Sequence, residues 1–302
     1  MTSAPQGGPL LREALAAIAA DVDAGFDALL PVPDDGRARL FEAMRHATIG
    51  GGKRLRPLLL VAVAGLHGVG RETAMRAALA IEAVHAFSLV HDDLPCMDDD
   101  AMRHGKPSVH KAFDEATAVL AGDGLMAFAF EILSDSQYFP DPFIRAELVR
   151  CLAVASGPAG MTGGQMMDIT GEGQELDLHT ITRLQQLKTG ALLGAAVEMG
   201  AILGRLPSEG RRHLRGYALD IGLAFQISDD LLDHEGEEAA AGKALRKDAA
   251  AGKQTFVARL GAERAREQAR ALVDQAIAHL AHHGHEAELL RELARYIVER
   301  DH

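Results

Sequence analysis

Two stretches of this sequence collect carboxylates at the ends of apolar runs. Asp92, Asp93, Asp98, Asp99 and Asp100 fall within nine residues, and Asp229, Asp230 and Asp233 follow well over a hundred residues later. Ionised carboxylates in apolar surroundings repel one another and lose their hydration, so a cation has to compensate them. Divalent metal with oxygen ligands is the simplest solution. Mg²⁺ suits best, because it takes a few carboxylates and fills its remaining positions with water and substrate phosphate. Two clusters facing each other would hold metal ions that grip a phosphorylated substrate. Asp229 and Asp233 are four apart and share a helix face, with Asp230 beside them. A solvated helix end is the competing account for one such cluster alone. Asp92 and Asp98 lie six apart, on different faces of a regular helix. They converge only if the backbone leaves the helix, which Pro95 favours.

Candidate anion contacts come next. Gly50-Gly51-Gly52-Lys53-Arg54-Leu55-Arg56-Pro57 is a glycine-rich turn opening a helix. Free N–H groups and the positive end of the helix dipole favour a phosphate there, within reach of Lys53 and Arg56. Arg54 stands where Ser or Thr would follow the lysine of a Walker A loop, so that motif is excluded. Read alone, the turn fits a basic surface loop equally well; the chain's acidic balance weighs toward a site. His85 precedes Asp92 by seven residues and points the same way, although a lone histidine on an apolar helix is often just a core residue. Lys188-Thr189-Gly190 interrupts an apolar helix, where a lysine must snorkel or meet an anion. Lys243, Arg246, Lys247 and Lys253 crowd the segment after the second cluster, as a solvated run or as a lid over phosphate. His279, His282, His283 and His285 lack a carboxylate or cysteine framework and are read as ordinary surface residues.

The elements that must position these residues are helical. Apolar periodicity predicts helices over Leu10–Leu30, Arg37–Thr48, Pro57–Leu66, Arg71–Asp93, Val109–Leu133 (weakened at Gly122-Asp123-Gly124), Phe143–Ala155, Leu178–Leu203 and Ser208–Leu232. Residues 235–252 read as a loop and 255–300 as short amphipathic helices. No segment alternates with β-branched enrichment, so the expectation is an all-α bundle, with residues 1–302 as a single domain. Hydrophobic residues make up 48% of the 302, enough for a large core. A net charge of −12 argues against a nucleic-acid partner and requires local cations around any anionic substrate. Cys96 and Cys151 are too few for a disulfide framework. Met1–Gly8 carries no basic stretch followed by an apolar one, and the longest strongly apolar run, Leu58–Leu66, is about half a membrane span. The expectation is a cytoplasmic protein without a membrane span.

With these residues assembled, the chain resembles the trans-isoprenyl diphosphate synthases, most closely the bacterial farnesyl diphosphate synthases. The resemblance rests on Gly51-Gly52-Lys53-Arg54-Leu55-Arg56-Pro57, the stretch from Glu82 to Asp98, Lys188-Thr189-Gly190, and Phe225 to Asp233, in that order. It implies a helical bundle around an apolar cavity, a homodimer, and head-to-tail condensation of isopentenyl diphosphate with dimethylallyl or geranyl diphosphate. Asp92, Asp93 and Asp98, with Asp229, Asp230 and Asp233 opposite, would bind the allylic diphosphate through Mg²⁺. Gly52, Lys53, Arg56, His85 and His104 would take isopentenyl diphosphate. Arg103, Lys188, Lys243 and Lys253 would face pyrophosphate, while the oxygens of Thr189 and Gln226 shield the allylic cation.

Three positions depart from the family pattern. His104 stands for the second of two arginines, Gln185 for a histidine three residues before the site lysine, and Arg246 for a glycine before Lys247. Phe87 sits five residues before Asp92, with Ser88 one turn beneath that aspartate, and in the family an aromatic there shortens the product. This favours a fifteen-carbon chain, with geranyl or geranylgeranyl diphosphate as alternatives. A terpene cyclase is the nearest rival enzyme, but the chain has no asparagine and only 4% aromatics. A regulatory subunit would be expected to lose acidic residues, and both clusters are intact. A di-iron bundle would need Glu-x-x-His pairs on core helices, and none is placed there.

Overall fold

The computed structural model describes residues 7–235 and 255–299. The expectations for Lys243, Arg246, Lys247 and Lys253 lie outside the described residues. Helix α1 (Pro9–Leu29) opens on a proline in its first turn and buries Leu11, Ile18, Val22 and Phe26 along one stripe. Helices α2 (Ala38–Thr48) and α3 (Leu55–Leu66) bracket the glycine turn. Helix α4 (Arg71–Asp92) is buried around most of its circumference, with Ala77 to Val84 entirely within the core. Its many alanines allow this, because small side chains let neighbours approach from every side. α4 is therefore the central helix, and it ends at Asp92.

A two-stranded antiparallel ribbon, Met102–Arg103 with Lys106–Pro107, follows. The helix expected over 109–133 divides in two. A short α5 (Val109–Ala112) stops at Phe113, and α6 (Glu115–Ser134) restarts under an Asp114 cap that accepts the Thr117 N–H at 2.7 Å. α6 runs unbroken through Gly122. There a side chain would collide with the His91 ring, so the glycine permits close packing on α4 and does not weaken the helix. Helix α7 (Pro142–Ser156) matches expectation, whereas α8 (Met161–Gly171) is a helix that periodicity did not reveal, its Thr-Gly-Gly run masking it. α9 (Leu178–Gln185) and α10 (Ala191–Leu203) join through one π-helical turn, Gln186–Gly190. Helix α11 (Arg212–Glu235) carries the second aspartate cluster. The C-terminal part is α12 (Phe256–Leu260), a longer α13 (Ala262–His279) and α14 (Glu288–Glu299).

α4 packs along α6 and against α3, α10 against α3 and α7, and α11 along α13. One apolar core extends from Leu11 to Ile297. The Tyr217 hydroxyl donates to the Leu290 carbonyl at 2.8 Å, and Glu292 accepts the Leu11 N–H at 3.0 Å, so α14 locks both α11 and α1. Among the described residues, α4 and α6 are long and apolar enough to cross a membrane by length and composition. That corrects the reading of Leu58–Leu66 as the limit. Core burial accounts for α4, while α6 leaves Val119 and Leu120 exposed.

Candidate active site

The first cluster forms because α4 stops at Asp92 and the chain folds back. The Asp98 N–H donates to the Asp92 carbonyl at 2.8 Å, and the Met97 and Asp99 N–H groups donate to the Leu94 carbonyl at 2.9 and 3.1 Å. Asp99 takes a left-handed conformation (φ 47°) to close the turn. Asp92 and Asp98 thereby come near one another, as the proline implied. Burial pushes the Asp92 carboxyl up to about 6; Lys188 acts against this by favouring the charged form, and Asp98 acts with it. Asp93 points inward with only 3% of its side chain exposed. Burial raises its carboxyl too, although the Arg103 fork is bonded to it. Arg103 also donates to Asp100 at 3.0 Å, so that one guanidinium holds the turn from beneath.

The second cluster stays on one continuous helix. Asp230 is buried, and its two oxygens accept N–H groups from Gln226 (3.0 Å) and from the Phe256 backbone (2.9 Å). Gln226 Oε1 in turn accepts the Thr189 hydroxyl at 3.1 Å. Thr189, Gln226 and Asp230 thus form one hydrogen-bonded row from the π turn to α11, which fixes the Gln226 carbonyl. Asp229 and Asp233 occupy the half-buried side of α11.

The glycine turn relies on two left-handed residues, Gly50 (φ 72°) and Gly52 (φ 77°), which a side chain would strain. The His104 ring lies against Gly51 and Gly52. Burial, reinforced by Arg103, Arg54, Lys106 and Lys53, holds His104 near 4. His85 is depressed for the same reasons, first burial and then Arg56, His104, Arg54 and Arg103. Both imidazoles are therefore neutral amid cations, an environment that favours a bound anion. Burial likewise lowers Arg56, which Glu82 and Asp229 oppose. Lys53 is exposed at the rim.

Lys188 and Thr189 sit in the π turn, a distortion that re-aims side chains and recurs at functional sites. α8 presses on this turn: a side chain at Gly164 would meet the Lys188 backbone N at 2.2 Å. From α8, Asp168 accepts a Lys188 ammonium proton at 2.5 Å. Sequence reasoning missed Asp168. No periodicity marked it, because its helix is rich in glycine and its partner lies twenty residues on.

Among the described residues, no three carboxylate, imidazole or thiol side chains already surround one metal-sized point. An all-oxygen donor set split between two helices still fits Mg²⁺, which draws much of its shell from water and phosphate. The half-buried Asp92, with the exposed Asp98 acting against its charge, likewise calls for a cation.

An all-helical bundle with an aspartate cluster ending α4 and another on α11 has the architecture of the isoprenoid synthases. The polyprenyl synthetase family model matches residues 37–296, and the chain belongs to that family. Farnesyl diphosphate synthase of Escherichia coli K12 is 45% identical over 268 residues, spanning 86% of this chain and 89% of that protein. An FPP/GFPP synthase structure from Zymomonas mobilis is 55% identical with a TM-score of 0.88, covering 96% of this chain and 99% of that one. A Helicobacter pylori geranyltransferase complexed with magnesium and isoprenyl diphosphate is 32% identical with a TM-score of 0.80, covering 95% and 96%.

Proposed function

We propose that this chain is a trans-prenyltransferase that condenses isopentenyl diphosphate with dimethylallyl or geranyl diphosphate, yielding mainly farnesyl diphosphate. The observation that carries this reading is the interlocking of charge across the bundle. Lys188, from the π turn, acts on Asp92 at the end of α4, and Asp229, on α11, acts on Arg56 at the start of α3. Aspartates and cations from opposite sides are therefore within electrostatic reach of one another. Asp92, Asp98, Asp229 and Asp233 would hold magnesium. Asp93 and Asp230, expected from the resemblance as ligands too, are already engaged by Arg103 and by Gln226 with the Phe256 N–H, and in this reading support the other four. Bound magnesium would neutralise the charge that develops on departing pyrophosphate.

Lys188 and Arg103 orient the allylic diphosphate as its C–O bond breaks and the electron pair leaves with pyrophosphate. Lys53, Arg56, His85 and His104 hold isopentenyl diphosphate, whose double bond attacks the allylic cation to form the new C–C bond. A proton then leaves the adjacent carbon for pyrophosphate. The fixed Gln226 carbonyl and Thr189 oxygen stabilise the transient cation, and the apolar core excludes water that would quench it. The one continuous core supports treating the whole chain as a single catalytic unit. The exposed Val119 and Leu120 on α6 support a homodimer. Without such a partner, those side chains would be left in water.

Purified protein incubated with isopentenyl diphosphate, dimethylallyl diphosphate and Mg²⁺, followed by phosphatase treatment and chromatography, should yield farnesol. A cyclic hydrocarbon would instead indicate a cyclase, and absence of product with or without a synthase partner would indicate a regulatory subunit.

A further inference from the structure

Lys53 and Arg56 flank a cation that turns away from the site. Arg54 adopts a left-handed backbone (φ 51°) immediately before α3, sending its guanidinium into the bundle, where 5% of the side chain is exposed. One nitrogen donates to Glu82 Oε1 on α4 at 2.8 Å. Another donates to Asp23 Oδ1 on α1 at 2.9 Å and to the Thr48 carbonyl, the last residue of α2, at 2.5 Å. Asp23 Oδ1 also accepts the Gly50 N–H at 3.0 Å. A single rigid fork thus ties three helices and the glycine turn together, which the point charge of a lysine could not reproduce. Lys106 pins the same turn from its other end by donating to the Ile49 carbonyl at 2.6 Å.

Glu82 has a second task. Its Oε2 is buried without a hydrogen-bond partner, as is Arg56 Nε. The Glu82 charge favours that of Arg56 despite burial. The carboxylate therefore faces two arginines, bonded to the one that turns inward and compensating the one beside the site.

We propose that Arg54 and Glu82 are a positioning pair that locks the Gly50–Gly52 turn, so that Lys53 and Arg56 are aimed at isopentenyl diphosphate before it arrives. The inference rests on Lys53 and Arg56 being that substrate's site. Preorganisation lowers the ordering cost paid on binding, so its loss falls on one substrate's KM. A general loss of structure would affect both substrates and turnover alike.

The test measures kcat and the KM of each substrate, with thermal melts, for Glu82→Gln, Arg54→Lys, Asp23→Asn and Lys53→Ala. Glu82→Gln and Arg54→Lys should raise the KM for isopentenyl diphosphate about tenfold, leaving the allylic KM and kcat within about twofold. Glu82→Asp should recover part of the loss. Asp23 is 34% exposed, so Asp23→Asn serves if the buried variants fail to fold, with an expected rise of about threefold. Equal rises in both KM values, a fall in kcat alone, or no change in a folded variant would overturn the pair. If Lys53→Ala leaves the isopentenyl KM unchanged, the site assignment beneath the proposal fails. If Lys53→Ala raises it while Glu82→Gln and Asp23→Asn are silent, only the positioning role fails.

Discussion

At the end of α4 the helix stops at Asp92 and a turn carries Asp98 back toward it; on α11 the helix runs unbroken from Asp229 past Asp233. Each cluster nonetheless buries one carboxylate against N–H donors, Asp93 against Arg103 and Asp230 against Gln226 and Phe256. The difference lies in what those donors are. Arg103 is a side chain with 26% exposure that can turn toward water, whereas the Phe256 donor is a buried backbone N–H. The first cluster is thus a turn held by a removable charge, and the second is part of the framework that also fixes Gln226. The expectation is that adjustment to substrate and metal falls on the α4 side and constancy on the α11 side.

Asp92→Ala and Asp229→Ala test the feature the clusters share. Each should lower kcat by about a thousandfold or more while circular dichroism reports unchanged helix content. A near-normal rate in either would remove that cluster from catalysis. The comparison itself is tested by Asp230→Ala against Asp93→Ala in urea unfolding. Leaving the Phe256 N–H without an acceptor should cost about 1–3 kcal/mol. Asp93→Ala should cost less, about 1 kcal/mol, because Arg103 can rehydrate. Equal losses would mean the two inward carboxylates do the same work.

Phe87 belongs to the α4 side. Its ring meets His91 edge-on at 4.9 Å, one turn below the cluster. Phe87→Ala should shift the chromatographed products upward by one five-carbon unit, and an unchanged distribution would place the chain-length floor elsewhere.

The α11 cluster was legible in the sequence because a four-residue spacing on a regular helix fixes a shared face. The α4 cluster was legible only through Pro95, since its geometry depends on the Asp98 to Asp92 hydrogen bond that no periodicity encodes. Lys188 stood out as a charge in an apolar helix, but the π turn that aims it depends on Gly164 of α8, contributed from elsewhere in the chain. Asp168 was hidden for the same reason: its helix is rich in glycine and its partner lies twenty residues away. The glycine turn announced itself by composition. That Arg54 points inward did not, because the three cations of Lys53-Arg54-Leu55-Arg56 look alike until a left-handed backbone separates them.

The smallest expected effect uses a probe already built into the contrast. Cys96 lies exposed in the turn between Asp93 and Asp98, while Cys151 is half-buried on α7. Burial, aided by Glu198, pushes the Cys151 thiol up to about 12, so it remains a poorly reactive thiol at pH 8. Ellman's reagent should therefore label one cysteine rapidly in the native protein, and Cys96→Ser should abolish that phase. Mg²⁺ with a non-ionisable allylic diphosphate analogue should slow the phase about threefold, because a turn drawn onto a ligand samples fewer open conformations. Mg²⁺ alone should do less, having fewer ligands to bridge. If the analogue and metal together leave the Cys96 rate unchanged, the α4 turn is as rigid as the α11 cluster, and the division between an adjustable wall and a fixed one does not hold.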